Sequence, residues 1–404
     1  MMVVSSPGRA DFLNTHQDYK GLPVIPAAIN LRLYMSAKPT GGKVFTVKSL
    51  DLERYGEPST DTFEVKVNEM LEKGFFGNYL RGVVNVMVKR GLAEKLRGMD
   101  ITIKSEIPIG SGLASSAALE VSFAKLLDHV CGLGCTKKEL AEIAYAAENQ
   151  EAGIPCGRLD QYGVAFGGII KLECRPPFRV EPLPFRTLTF AIIDSGVRHS
   201  TGAIHPKRQQ EIDRALKKLM ESKSVPEKLK AKLGYRFDQP RWEDLHEKDL
   251  QDYLSILDYK SRMRVVFTLR MQRLTDLALK VLRFEPLGKE ELISTLGLES
   301  WKRIQRSPDG ERNYRILGEI MNEQQSLLRD LYEVSIAKIE DICSEALAAG
   351  AYGAKISGAG MGGSVIALVK NEEEGKKVVK VCLSIGSKDG WVSKVGEGVR
   401  VERP

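Results

Sequence analysis

The segment Pro108 to Ser122, PIGSGLASSAALEVS, constrains this chain most. It follows an alternating, strand-like run from Met99 to Ile107 and leads into apolar residues at helical spacing from Leu119 to Leu133. Gly110 and Gly112 let the backbone approach a ligand closely, Ser111, Ser115 and Ser116 offer hydroxyls, and Ala117 and Ala118 open the helix without bulk. A strand, a small-residue loop and a helix start make an anion site, because free N–H groups and the helix dipole both favour phosphate. It is not a Walker loop, since no GxxxxGK pattern and no loop lysine occur. Taken alone, a tight turn before a buried helix explains the segment as well.

The chain around it has 404 residues, 43% apolar and 28% charged, which suits a soluble globular protein of two or three domains. Six cysteines (131, 135, 156, 174, 343 and 382) form no CxxC pairs, so they read as reduced thiols. No basic stretch precedes an apolar one at the N-terminus, and no run of about 18 apolar residues exists. A cytoplasmic protein with no membrane partner is expected. The net charge of +7 permits a nucleic-acid partner without indicating one, and none is expected. Residues 206 to 315 hold 25 basic and 18 acidic side chains, which is the whole excess. The charge is a local trait of one segment, expected to be a solvated outer layer, a lid or a dimer face.

Two domains are expected, 1–195 and 196–404, with the break near Ser195 to Pro206, where Gly196, Gly202 and Pro206 interrupt the pattern. The first half is α+β. Val24 to Ala37, Lys43 to Leu50, Gly167 to Glu173 and Leu188 to Asp194 read as further strands. Lys137 to Ala152 reads as a helix capped by Thr136, with Glu139 completing a capping box. In the second half, residues 206 to 315 are helical and Arg315 to Ala349 is a long helix broken near Glu333 to Ser335. A glycine-rich turn then precedes the apolar run Ser364 to Val369, and Lys388 to Pro404 looks like a tail.

Three more constellations carry polar chemistry. Pro7 to Gly21, PGRADFLNTHQDYKG, packs Arg9, Asn14, Thr15, His16 and Asp18 together, an array suited to a polyol, although a polar surface loop is its plainer reading. Asp160, in CGRLDQYG, sits among apolar and glycine residues where a cation such as Arg9 would hold it ionised, and Glu148 precedes it on the helix. A turn aspartate is the commoner fate of such a residue. The fourth segment, Lys355 to Val369, is KISGAGMGGSVIALV; it reads as a bland turn, or as a wall of a phosphate pocket.

In this order the motifs resemble the small-molecule kinase superfamily that includes galactokinase, homoserine kinase, mevalonate kinase and phosphomevalonate kinase. HQDYKG from His16 to Gly21, FGNYLRGV from Phe76, CGRLDQY from Cys156, VRHS from Val197 and LRDLYEVS from Leu328 are similar to segments of the galactokinase branch. The resemblance implies a two-domain α+β fold. Its N-terminal domain is like the second domain of a small-subunit ribosomal protein, its C-terminal domain is ferredoxin-like with extra helices, and the active site lies in the cleft between them. It implies ATP-dependent phosphorylation of the anomeric hydroxyl of a sugar, with Mg2+ as cofactor and a monomer or homodimer as the working form. By the same resemblance, Asp160 is the catalytic aspartate and Arg9 its partner, and either Asp160 removes the proton or Arg9 lowers the hydroxyl's pKa. Ser116 and Glu148 match magnesium ligands. Gly110, Ser111, Gly112, Leu113, Ala114, Ser115 and Ser116 cradle the nucleotide phosphates, and Phe76 takes an adenine-packing position. His16 and Asp18 match sugar-binding positions.

Two departures bear on the sugar. The branch's GEHTDY reads NTHQDY here, so its glutamate is Thr15, and a tyrosine expected after VRHS has no counterpart, His205 being nearest. Both changes make the pocket's C6 end less anionic, so the expected substrate is a sugar modified at C6, with galacturonate leading and other uronic acids behind it. Ordinary galactokinase activity is the alternative. A non-catalytic sugar and ATP sensor is a second one, disfavoured because Ser115, Ser116, Ala117 and Ala118 are intact.

Overall fold

The computed structural model describes residues 1–198 and 204–403. The chain forms two compact units, and neither is continuous. The first holds Met1–Ala10, Pro26–Ile170 and the residues from Val395 onward; the second holds Asp11–Ile25 and Lys171–Lys394. This differs from a single cut at 195/196, for two reasons of pairing. The strand β1 (Met2–Leu13) passes from one unit to the other at Ala10, and the last strand returns to pair with its beginning.

In the first unit β1 is followed by β2 (Ile25–Pro39), β3 (Val44–Ser49) and β4 (Thr60–Glu64), then helix α1 (Gly77–Lys89), β5 (Met99–Ser105), α2 (Ser115–Cys131), α3 (Lys137–Ala146) and α4 (Leu159–Phe166). The strands and the C-terminal strand Arg400–Arg403 form one six-stranded sheet in the order C-terminal strand, β1, β2, β5, β3, β4. β3 and β5 are parallel, while β2 with β5 and β3 with β4 are antiparallel. Alternation shows in β5, where Met99, Ile101 and Ile103 are buried and the residues between them are exposed. Helix α3 starts at the expected capping box, Thr136 with Glu139. It ends sooner than expected, because Ala147–Glu151 widens into a π turn.

The second unit continues through β6 (Ile170–Leu172), β7 (Val180–Pro182), β8 (Thr189–Asp194), α5 (Ile204–Glu221), α6 (Tyr259–Leu282), α7 (Lys289–Gln305), α8 (Arg312–Asp330), α9 (Ala337–Ala348), β9 (Gly353–Ser357), β10 (Ser364–Val369), α10 (Glu372–Ser384) and β11 (Asp389–Lys394). Its sheet is antiparallel in the order β11, β8, β10, β9, and the two inner strands and the edge strand β9 are buried throughout. The helix expected from 315 to 349 with a break near Glu333 to Ser335 is seen as α8 and α9, separated by the loop from Leu331 to Ile336. The expected tail at 388–404 is in fact two strands: β11 edges the second sheet, and Arg400–Arg403, now β12, edges the first.

Residues 206–315 are not simply a solvated layer. Ile212, Leu216, Trp242, Leu250 and Val265 join Leu22 in an apolar core of their own, with Trp242 donating its indole N–H to the Phe237 carbonyl. Most charges of these helices face outward, but Arg208, Glu211 and Arg264 are buried.

Arg32 on β2 closes the first unit. It is buried and donates to Ser5 Oγ (2.8 Å) and O (3.1 Å), and to the carbonyls of Glu397 (2.8 Å) and Gly398 (2.9 Å). Replacing it leaves those acceptors dry and unpaired, at about 1–3 kcal/mol for each group left unsatisfied. Arg32→Leu is expected to lower unfolding free energy by about 3 kcal/mol in urea titrations, and an unchanged midpoint would refute the clamp.

Candidate active site

The catalytic candidates of the first unit rest on a contact between β1 and the loop before α2. The Arg9 amide donates to the Leu113 carbonyl at 3.0 Å, and Arg9 Nη1 donates to the Gly112 carbonyl at 2.7 Å. Gly8 makes the approach possible, because a Cβ there would stand 2.9 Å from the Leu113 oxygen. Within the loop Gly110, Gly112 and Ala114 all have positive φ (67°, 77° and 60°), alternating with residues of the ordinary hand. Such alternation lines up backbone N–H groups in a concave nest that suits anions. Ser111 is buried and gives its hydroxyl to the Pro108 carbonyl (2.8 Å), so it braces the turn. Ser115 and Ser116 occupy the first turn of α2 and stay partly accessible.

Arg9 also reaches Asp160, which lies in the first turn of α4. Its Nε and Nη2 donate to Oδ1 at 2.8 and 2.6 Å. Arg9 is buried, whereas the Asp160 side chain keeps 31% of its exposure, and its Oδ2 takes no donor among the described residues. One carboxylate oxygen is therefore fixed and the other presented to solvent. Gly163, one turn on, lets α4 sit against β1 and β2, since a Cβ there would come within 2.9 Å of Pro26.

Behind this pair lies a buried acidic group. Glu148, in the π turn, is bonded by Ser116 and by Gln161 Nε2 (2.6 Å), which joins the two expected metal ligands directly. Burial, reinforced by repulsion from Asp160, pushes its pKa up to about 7. Glu120, one turn along α2 from Ser116, is fully buried with no hydrogen-bond partner for either carboxylate oxygen among the described residues, and burial raises its pKa well above the usual range. Gln161 Oε1 is also without a donor. Neither Glu120 nor Gln161 was selected from sequence; Gln161 adjoins Asp160, and Glu120 is the one acid in the Pro108 segment. Phe76, buried at the start of α1, lines a cavity of about 450 Å³ with Leu52, Pro58, Leu71 and Phe75. A planar apolar guest fits such walls.

The sugar-binding candidates belong to the second unit. The plainer reading of Asn14 to Asp18 as a surface loop fails, since Asn14, Thr15, His16 and Gln17 are all buried. Asn14 and His16 have φ near +67°, a strained turn held by Asn14 Nδ2 bonds to the Pro23 carbonyl (2.6 Å) and Gln272 (2.9 Å). His16 Nε2 donates to the Ala359 carbonyl at 3.0 Å, which puts the ring proton on Nε2. Burial, with His205, Lys20 and Lys355 nearby, holds its pKa well below the usual imidazole value, so the ring is neutral. His205, at the start of α5, stands 5.1 Å from the His16 ring and 5.3 Å from that of Tyr19. Asp18 opens a short turn closed by Gly21. The last two residues of VRHS lie outside the described residues.

Thr15 is tied into the scaffold of the second unit. Its buried Oγ1 accepts from Lys355 Nζ at 2.8 Å, and the same ammonium donates to the carbonyls of Asp11 and Ile356, both 2.8 Å. All three lysine hydrogens serve the protein. Tyr19 and Tyr332, absent from the expected set, hydrogen-bond through their hydroxyls beside His16.

Comparison with known proteins agrees with this geometry. Residues 78–168 match the GHMP kinases N-terminal domain, 306–384 the GHMP kinases C-terminal domain, and 2–39 the galactokinase galactose-binding signature. A galactokinase of Thermotoga maritima is 29% identical over 93% of this chain and 91% of its own, and one of Chloroflexus aggregans is 29% identical over 92% and 84%. The crystal structure of Lactococcus lactis galactokinase complexed with galactose superposes with a TM-score of 0.77 at 24% identity, covering 99% of this chain and 94% of that one. Methanococcus jannaschii mevalonate kinase gives 0.65 at 18% identity, covering 98% of each. The chain is thus an ATP-dependent sugar kinase. It belongs to the GHMP kinases, on their galactokinase branch.

Because the folded protein keeps the Glu148 proton up to about pH 7, the unfolded chain releases it first, and stability falls as pH rises between about 4.5 and 7. Glu148→Gln removes that cost. The variant should be more stable than the parent by about 2–3 kcal/mol at pH 8 and equal to it below pH 4.5, as read by thermal melts without ligand.

Proposed function

We propose that the enzyme transfers the γ-phosphoryl group of ATP to the anomeric hydroxyl of galactose. The observation that carries this reading is the Arg9–Asp160 pair, with Oδ1 fixed and Oδ2 presented. Oδ2 takes the hydroxyl proton as the oxygen attacks. Arg9 keeps the carboxylate charged beforehand and offsets charge on the transferring group. The nest from Gly110 to Ala114 and the start of α2 bind the nucleotide phosphates, and the cavity beside Phe76 takes the adenine.

Mg2+ fits Ser116 and Glu148: two hard oxygen donors already joined, one of them a buried carboxylate, leave the remaining positions to phosphates and water. When bound, the ion neutralises phosphate charge. The positive charge of the ion would lower the cost of ionising Glu148.

Galactose is supported by the signature over residues 2–39 and by the relatives' names. The reading of galacturonate or another uronic acid has no such support. His16 and Asp18 hold the sugar hydroxyls. Absence of membrane-crossing helices among the described residues is consistent with a cytoplasmic enzyme.

The test is an ADP-release assay across galactose, galacturonate, glucuronate, arabinose and fucose. Galactose should give the largest kcat/KM, by about 100-fold over the uronic acids, since a mismatched polar group in a built site is rejected strongly. A preference for galacturonate would overturn the assignment. Asp160→Asn should lower kcat by about 10³-fold while leaving the ATP KM within about twofold, and retention of activity would remove Asp160 as the base.

A further inference from the structure

The loop that follows α8 touches both motifs of the second unit. Tyr332 is fully buried, stacks on Phe267 (centroids 4.0 Å apart), faces the His16 ring at 5.0 Å and bonds the Tyr19 hydroxyl. Two residues on, the Val334 carbonyl accepts from the Met361 amide at 2.7 Å, in the glycine-rich turn whose Ala359 carbonyl holds His16. Gly360 is needed there, because a Cβ would come 2.3 Å from the Val334 oxygen. Between them Glu333 has a φ of +55°, a left-handed conformation that costs a non-glycine residue and so requires external restraint.

That restraint comes from the charged helical segment. Arg264 on α6 is fully buried. Its Nη1 donates to the Leu331 carbonyl, its Nη2 to Glu333 Oε2, and its Nε to Glu211 on α5 at 2.6 Å. Glu211 also takes Arg208 Nη1, at 3.0 and 3.1 Å, while Arg208 Nη2 donates to the Glu333 carbonyl at 3.0 Å. Arg208 lies one turn from His205.

We propose that Arg264 is the positioning residue of the sugar-binding loop: its planar fork fixes Leu331 and Glu333, which sets Tyr332 against His16 and Tyr19, and through Glu211 it anchors the helix that carries His205. A lysine in its place offers one point charge and cannot hold three acceptors in a plane. This role rests on the reading of His16 and Asp18 as sugar contacts.

The test separates sugar affinity from nucleotide affinity and needs no turnover. Calorimetry with galactose alone, and with ADP alone, is run on the parent, Arg264→Lys, Glu333→Gln, Tyr332→Phe and the Arg264→Lys/Tyr332→Phe double variant, each checked for folding by circular dichroism. Arg264→Lys should weaken galactose binding about tenfold and leave ADP within about twofold. Glu333→Gln, at a partly exposed position, should weaken galactose about threefold. The double variant should be no weaker than Arg264→Lys alone, because both changes act on one chain of contacts. A folded Arg264→Lys with galactose affinity within twofold of the parent overturns the role, as does an equal loss for galactose and ADP. If Arg264→Lys does not fold, unchanged galactose affinity in Glu333→Gln overturns it. Should the parent bind another sugar of the panel in place of galactose, the galactose assignment fails and the same comparison runs with that sugar. A parent that binds none removes both.

Discussion

Backbone contact between β1 and the loop ahead of α2 is the constraint on which the catalytic half depends. A carbonyl of that loop meets the amide of Arg9, and the arginine's own side chain ties a second carbonyl and Asp160. The contact admits no side chain at position 8. Three things that chemistry requires together, a concave row of N–H groups, a carboxylate with a fixed orientation and a cation beside it, are thereby set by one strand. The same strand continues into the second unit at Asp11 and leads straight to the buried turn of Asn14 to Asp18.

Both halves keep ionisable groups where water is scarce. Glu148 and Glu120 are held neutral by burial in the first unit, and His16 is held neutral in the second. Such groups cost stability in the free enzyme and become useful only when a ligand supplies the missing partner. Lys355 shows the opposite solution, since its charge is spread over three acceptors and serves the scaffold.

Much of this was legible in residue order. The strand, loop and helix around residues 99 to 131, the capping box at Thr136 and the buried run Ser364 to Val369 follow from local pattern, and local pattern governs them. Arg9 with Asp160 and Ser116 with Glu148 came from resemblance, because nothing in their spacing brings residues 151 and 32 positions apart into contact. What sequence could not reveal was set by tertiary pairing. Residues 388 to 404 read as a tail because edge strands carry little apolar pattern. The Lys355 partner of Thr15 lies 340 positions away, so no local pattern announces it. Arg264 was hidden among surface-like charges on a helix whose buried side could not be told from its mixed composition.

The pairing of Val3 with Arg403 closes the first sheet with two segments from widely separated parts of the chain. A ribosome delivers β1 long before its neighbour at residues 400–403 exists. The first unit therefore waits, with an open strand edge, while the whole second unit is synthesised and threaded through its sequence. Closing this sheet is a contact of very high sequence separation, which sets it among the slow steps of folding.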